Sequence, residues 1–159
     1  MNNIHEPVKV IGIVQRIIEY KDGTKEVFEY KNTVLRNGRE ALARSLANDV
    51  SDVYEYYINR MLFGDGGTSG GTLKAVETQR NGLFGITRAS KPVISTVDPS
   101  IRTQVVLTSV LTFDDANGFA LNEMALQMAN GDLYSMVTFA DLNKTSNIQV
   151  TFNWRLSFV

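Results

Sequence analysis

From Ile148 to Val159 the chain reads Ile-Gln-Val-Thr-Phe-Asn-Trp-Arg-Leu-Ser-Phe-Val. Every even position from Ile148 to Phe158 is large and apolar, and every odd position from Gln149 to Ser157 is polar or charged. Side chains alternate across a strand with period two, so the stretch predicts a long strand with one buried face. Burying one such side chain stabilises a fold by roughly 1.5–3 kcal/mol, so a row of them can seat a core. A terminal segment this apolar must be covered, either by the rest of the chain or by a neighbouring subunit.

A chain of 159 residues fits one domain. With 43% hydrophobic and 21% charged residues it has the composition of a folded globular protein and not of a disordered one. Sixteen basic against 17 acidic residues leave a net charge of −1, which argues against nucleic acid as a partner, since nonspecific binding needs a basic excess to displace counterions. Disulfides and thiolate metal sites are excluded because there is no cysteine. No run reaches the roughly 20 apolar residues of a membrane helix. Met1 to Pro7 lacks the basic-then-apolar layout of a secretory signal, which points to synthesis and folding in a cytoplasm.

Two β-rich runs, Val8 to Tyr20 and Thr24 to Tyr30, flank Asp22-Gly23 and predict an N-terminal hairpin over residues 8–30. A two-residue type I′ turn there would set Arg16 opposite Glu29, Ile17 opposite Phe28, Ile18 opposite Val27 and Glu19 opposite Glu26. Asn37-Gly38-Arg39-Glu40 resembles a capping box, with Ala41, Leu42, Ser45 and Leu46 on one face of a helix over 38–48. Residues 64–100 open with a glycine-rich run, Gly64 to Gly71, and continue with weak periodicity, which predicts a long irregular excursion holding one or two short strands. Residues 103–159 predict an antiparallel meander whose Asn130-Gly131 turn pairs Met124 with Val137, Leu126 with Ser135 and Met128 with Leu133. The expected fold is a single mainly β domain, an antiparallel β-sandwich or open barrel with one short α-helix and a long Gly-rich loop.

Little in this pattern carries chemistry. The glycine run lacks the Gly-Lys-Ser/Thr of a phosphate loop, and Ser69 stands where a dinucleotide fingerprint needs its third glycine, so a flexible surface loop is the simpler reading. His5 is the only histidine and has no cysteine to share a metal with. Asp114, Asp115 and Asn117 lack calcium-loop spacing and read as turn residues, as do Asp141, Asn143 and Asn147. Tyr54, Tyr56 and Tyr57 suit either a contact patch or a strand. Catalytic, cofactor-binding and metal sites are therefore each expected to be none, and no enzyme activity is predicted.

A scattered set of blocks resembles the small virion proteins of tailed bacteriophages: Asn32-Thr33-Val34, the helix from Asn37 to Ala43, Met61 to Thr68 with Arg80 downstream, and Leu121 to Leu126 followed by Asn130-Gly131. Val137-Thr138-Phe139, Lys144-Thr145 and Phe152 to Phe158 complete it. The resemblance implies a virion structural protein without a cofactor, located in the virion, and a homo-oligomer whose partners are other virion proteins. It would serve as a capsid decoration or as a neck, tail or baseplate component, with residues 64–100 as an arm that orders against neighbours. The alternative is a carbohydrate- or receptor-binding β module using the tyrosine cluster or Trp154.

Overall fold

The computed structural model describes residues 8–47 and 56–159. Two five-stranded antiparallel sheets pack face to face. The first runs β2 (Lys25–Lys31), β1 (Val10–Tyr20), β12 (Ile148–Phe158), β9 (Gln104–Leu111) and β8 (Ile94–Val97). The second runs β3 (Thr33–Val34), β11 (Leu133–Asn143), β10 (Ala120–Met128), β4 (Ile58–Gly64) and β7 (Thr87–Pro92). The expected β-sandwich is the fold.

Its spine is β12, paired along its length with β1 and β9. Ile148, Val150, Phe152, Trp154 and Leu156 are all buried, and Val14–Trp154–Leu107 and Ile18–Val150–Leu111 form rows across the three strands. Phe63 of β4 meets Phe152 across the sandwich, ring centroids 4.8 Å apart, tying the sheets together. On the outer face the polar positions are joined by a ladder: Asn153 Nδ2 donates to Gln15 Oε1 (3.2 Å) and Thr108 Oγ1 donates to Asn153 Oδ1 (2.9 Å).

The N-terminal hairpin forms one residue out of the expected register. Arg16 faces Phe28, Ile17 faces Val27, Ile18 faces Glu26 and Glu19 faces Lys25. Its loop has three residues, Lys21 to Gly23: the Tyr20 amide donates to Thr24 O, and only Gly23 (φ 88°) takes the left-handed region that type I′ requires at two positions. The Asp22 carboxylate accepts from both the amide and the hydroxyl of Thr24 (2.9 and 2.6 Å), and the shift replaces the Glu19–Glu26 opposition with a Glu19–Lys25 ion pair at 3.6 Å. The Asn130-Gly131 turn behaves alike: Met128 N donates to Asp132 O, giving a three-residue loop. A bulge then restores the expected Met124–Val137 and Leu126–Ser135 pairs, while Leu133 faces Gln127 and not Met128.

Helix α1 spans Arg36–Ala47, so Asn37 lies inside its first turn and the expected capping box does not form. Leu35 O accepts the Arg39 amide, and the Arg36 amide donates to Thr78 O, which caps the helix from a distant segment. The buried face is Gly38 and Ala41; Ser45 and Leu46 are exposed, and the expected end at Asn48 lies outside the described residues. A Cβ at Gly38 would stand 2.5 Å from Tyr134 O, so glycine lets the helix lie directly on β11.

The C-terminal strands do not form one meander. The hairpin β10–β11 belongs to the second sheet, and β9 and β12 lie side by side in the first, because the connections at 112–119 and 144–147 cross the sandwich. The excursion is also more ordered than expected. It holds a small hairpin, β5 (Thr68–Ser69) and β6 (Thr72–Leu73), and supplies edge strands β7 and β8 to both sheets. Gly70 and Gly71 (φ 57° and 80°) make the type I′ turn of that hairpin. Val76, Leu83 and Phe84 pack over Leu35, Ala125, Leu133 and Met136. The excursion thus forms a third layer on the outer face of the second sheet, and β10 is buried on both sides.

Candidate functional site

The polar centre of the molecule is the pair Asn122-Glu123 in β10, both buried. Glu123 Oε1 accepts from the amides of Gly66 (2.9 Å) and Gly85 (2.8 Å), and Oε2 accepts from that of Phe84 (2.7 Å). Asn122 Oδ1 accepts from the Gly67 amide at 2.7 Å, while its Nδ2 donates to Thr68 Oγ1 and Asp141 Oδ1 (3.1 and 3.0 Å). A buried carboxylate that receives three backbone donors is fully engaged and acts as a clamp.

Close backbone approach makes the clamp possible: a Cβ at Gly85 would stand 2.6 Å from Gly66 N, and one at Gly64 would stand 2.7 Å from Glu123 Oε1. The first half of the glycine run is therefore a pinned segment and not the expected surface loop. Around it, Arg88 Nε donates to Asp65 Oδ2 at 2.6 Å, and the Arg80 guanidinium lies 3.6 Å from the Phe84 ring centroid while donating to Gly82 O and Leu83 O. Blocks of the phage resemblance, Met61 to Thr68, Arg80 and Leu121 to Leu126, thus meet at one place in space. The signal in the sequence was the Asn-Glu pair inside an otherwise apolar strand.

The turn at 112–118 is held by a second buried group. Lys144 is buried, and its Nζ donates to Asn117 Oδ1 (2.9 Å) and Thr145 O (3.1 Å). Asp115 accepts from Lys91 Nζ at 2.8 Å and from the amide and hydroxyl of Thr112. Burial pushes Asp115 up, and these donors more than offset it, leaving the carboxyl below its ordinary value. Asp114, Asp115 and Asn117 are turn residues, as expected, and so is Asn147, but Asp141 and Asn143 are not: both lie in β11, where Asp141 accepts from Asn122. Burial pulls the Lys144 amine below its ordinary value, against Asp115 and Asp114, which raise it. Because the folded value is the lower one, this group's penalty is present while both states are protonated. It is relieved as pH rises from the folded value toward 10.5. The stability of the wild type relative to Lys144→Met should rise across that alkaline window, measured by urea unfolding at stepped pH; a flat difference would show that the amine does not titrate differently on folding.

Trp154 is completely buried, which removes it as a stacking platform for a sugar. Tyr56 packs against the core while Tyr57 is exposed, and both line one apolar groove with Ile58, Tyr134 and Phe158; Tyr54 and His5 lie outside the described residues. Among the described residues no group of three or more His, Asp or Glu is placed to hold a metal ion. No helix among them is long and apolar enough to cross a membrane. In comparisons with known proteins, no family, curated protein or solved structure matches the chain.

Proposed function

We propose that the chain is a structural component of a tailed-phage virion, built into a symmetric particle through contacts between its own copies, as a capsid decoration or a neck, tail or baseplate part. The observation that carries the reading is an apolar end of the sandwich. There Lys9 and Val159 exchange two backbone hydrogen bonds, and Val8, Ile11, Leu46 and Val159 stand in solvent, Leu46 with 81% of its surface and Val8 with 75%. Between α1 and the start of β1 runs a groove of about 660 Å³ floored by Val10, Val34 and Leu42. Contiguous exposed apolar surface of this kind marks an interaction site, and a net charge of −1 opposes self-association little. Part of the excursion already covers its own sheet through Val76, Leu83 and Phe84, so this reading places the contacts between copies at the apolar end and not in that part.

Light scattering across a concentration series tests the interface. Wild type should self-associate, and Leu46→Glu should weaken association at least about tenfold, the equivalent of losing one buried leucine. Wild type that stays monomeric throughout would sink the interface. Antibody labelling of intact particles tests the setting: labels on purified virions support it, and their absence overturns it.

A further inference from the structure

At the end of the sandwich near the β1–β2 loop, a cleft of about 490 Å³ opens between that hairpin and the connection from β11 to β12. Its wall includes Arg16, which points inward beside Val14 and Ile18 and is only 5% exposed. The guanidinium sits against three rings, 4.6 Å from the centroid of Phe28, 5.3 Å from Tyr30 and 5.4 Å from Phe139. Such rings stabilise a cation without neutralising it. Nε and Nη1 are sealed from solvent and have no acceptor. Leaving a buried donor unpaired costs about 1–3 kcal/mol; these two stay with the rings, and an acceptor in the cleft would meet the guanidinium nitrogen that is not sealed, Nη2.

The rest of the cleft narrows what that acceptor is. Glu26 and Asp141 also line it, with Asn143 and Asn147 at the rim and Tyr20 and Phe28 as apolar surfaces. Glu26 receives only a long bond from Tyr20 Oη, at 3.3 Å. A free anion would gain Arg16 but face two carboxylates, and a cation would gain the carboxylates but face Arg16. A hydroxyl both donates and accepts, so a polyol satisfies both sets at once. The volume lies within the usual range for a small-molecule site.

We propose that this cleft binds a neutral saccharide of one or two rings, its hydroxyls shared between Arg16, Glu26 and the rim asparagines and its C–H face on Tyr20 or Phe28. The site is separate from the apolar end of the sandwich and does not depend on membership of a particle, so either reading can fail alone.

Amide chemical shifts of the full chain, followed during titration with cellobiose, maltose, lactose and chitobiose to about 10 mM, test it, since a small open site gives millimolar affinity. Glucuronate and choline serve as charged comparators. At least one neutral disaccharide should move the amides of Tyr20, Phe28 and Asn147 together. Arg16→Met, which keeps the packing in the aromatic box, should weaken that binding at least tenfold, as should Asn147→Ala at the exposed rim. The proposal is overturned if no neutral disaccharide moves these amides, if only glucuronate or choline does, or if binding survives both substitutions.

Discussion

Glu123→Gln should cost about 2–4 kcal/mol of folding stability, because it turns three charge-assisted hydrogen bonds into weaker ones and makes one of them repulsive. The carboxylate lies between the amides of Gly66 and Gly85 on one oxygen and Phe84 on the other. A glutamine has one acceptor oxygen, so its NH₂ must face an N–H group whichever way it is turned. No water-filled route relieves the conflict, since Glu123 is completely buried. Glu123→Ala removes all three bonds and leaves a void, and should cost more. Urea unfolding gives the total, and hydrogen exchange shows where it falls: Gly66, Phe84 and Gly85 should lose protection before the amides of β12. Glu40→Gln, in an exposed i,i+4 pair with Arg36, is the control and should change stability by less than about 0.5 kcal/mol. If Glu123→Gln matched that control, the clamp would not be what holds the third layer.

The parts of this fold that were legible in the sequence are those set by neighbours two residues apart. The period-two alternation of residues 148–158 is satisfied on both sides by pairing partners, and it placed Trp154 and Phe152 in the core. Turn chemistry was legible only in part. Asp22-Gly23 and Asn130-Gly131 announce hairpins correctly, but the same dipeptide fits a two-residue loop with two left-handed residues or a three-residue loop with one. Both hairpins take the second form, and in the first of them the shift sets Tyr30 and Phe28 opposite the buried Val14 and Arg16 and pairs Glu19 with Lys25, where the other register opposes it to Glu26. The true type I′ turn, Gly70-Gly71, was hidden in a run rich enough in glycine to suggest no structure at all.

Sheet membership was not legible, because nothing local distinguishes a strand that returns to its neighbour from one that crosses the sandwich. The excursion hid its strands for a related reason. Every residue of β8 is exposed and β7 is an edge, so neither is held to a hydrophobic alternation. Two of the buried charged groups, Glu123 and Arg16, differ in this respect. Glu123 has partners 38 to 57 residues away, visible only in three dimensions. Arg16 left a trace, since it occupies the inward position between Val14 and Ile18, where a strand of this kind carries apolar side chains.

Phe152→Ala should be the most damaging single truncation in the core, at about 3–5 kcal/mol. The side chain is completely buried at the middle of β12, which has a long partner on each side, so the surrounding backbone cannot collapse into the space it leaves. It also carries the contact with Phe63, tilted at 46°, which joins the two sheets. An aromatic pair in this geometry adds about 0.5–1.5 kcal/mol beyond burial. A double-mutant cycle with Phe63→Leu should return a coupling of that size, whereas Arg155→Gln on the opposite face of the same strand should stay within about 0.5 kcal/mol of wild type. With total stabilities of small domains at about 5–15 kcal/mol, Phe152→Ala should lower the urea midpoint by about a fifth or more. A loss no larger than that of Arg155→Gln would mean that the sandwich is not seated on β12, and that the alternation at the end of the chain has some other cause.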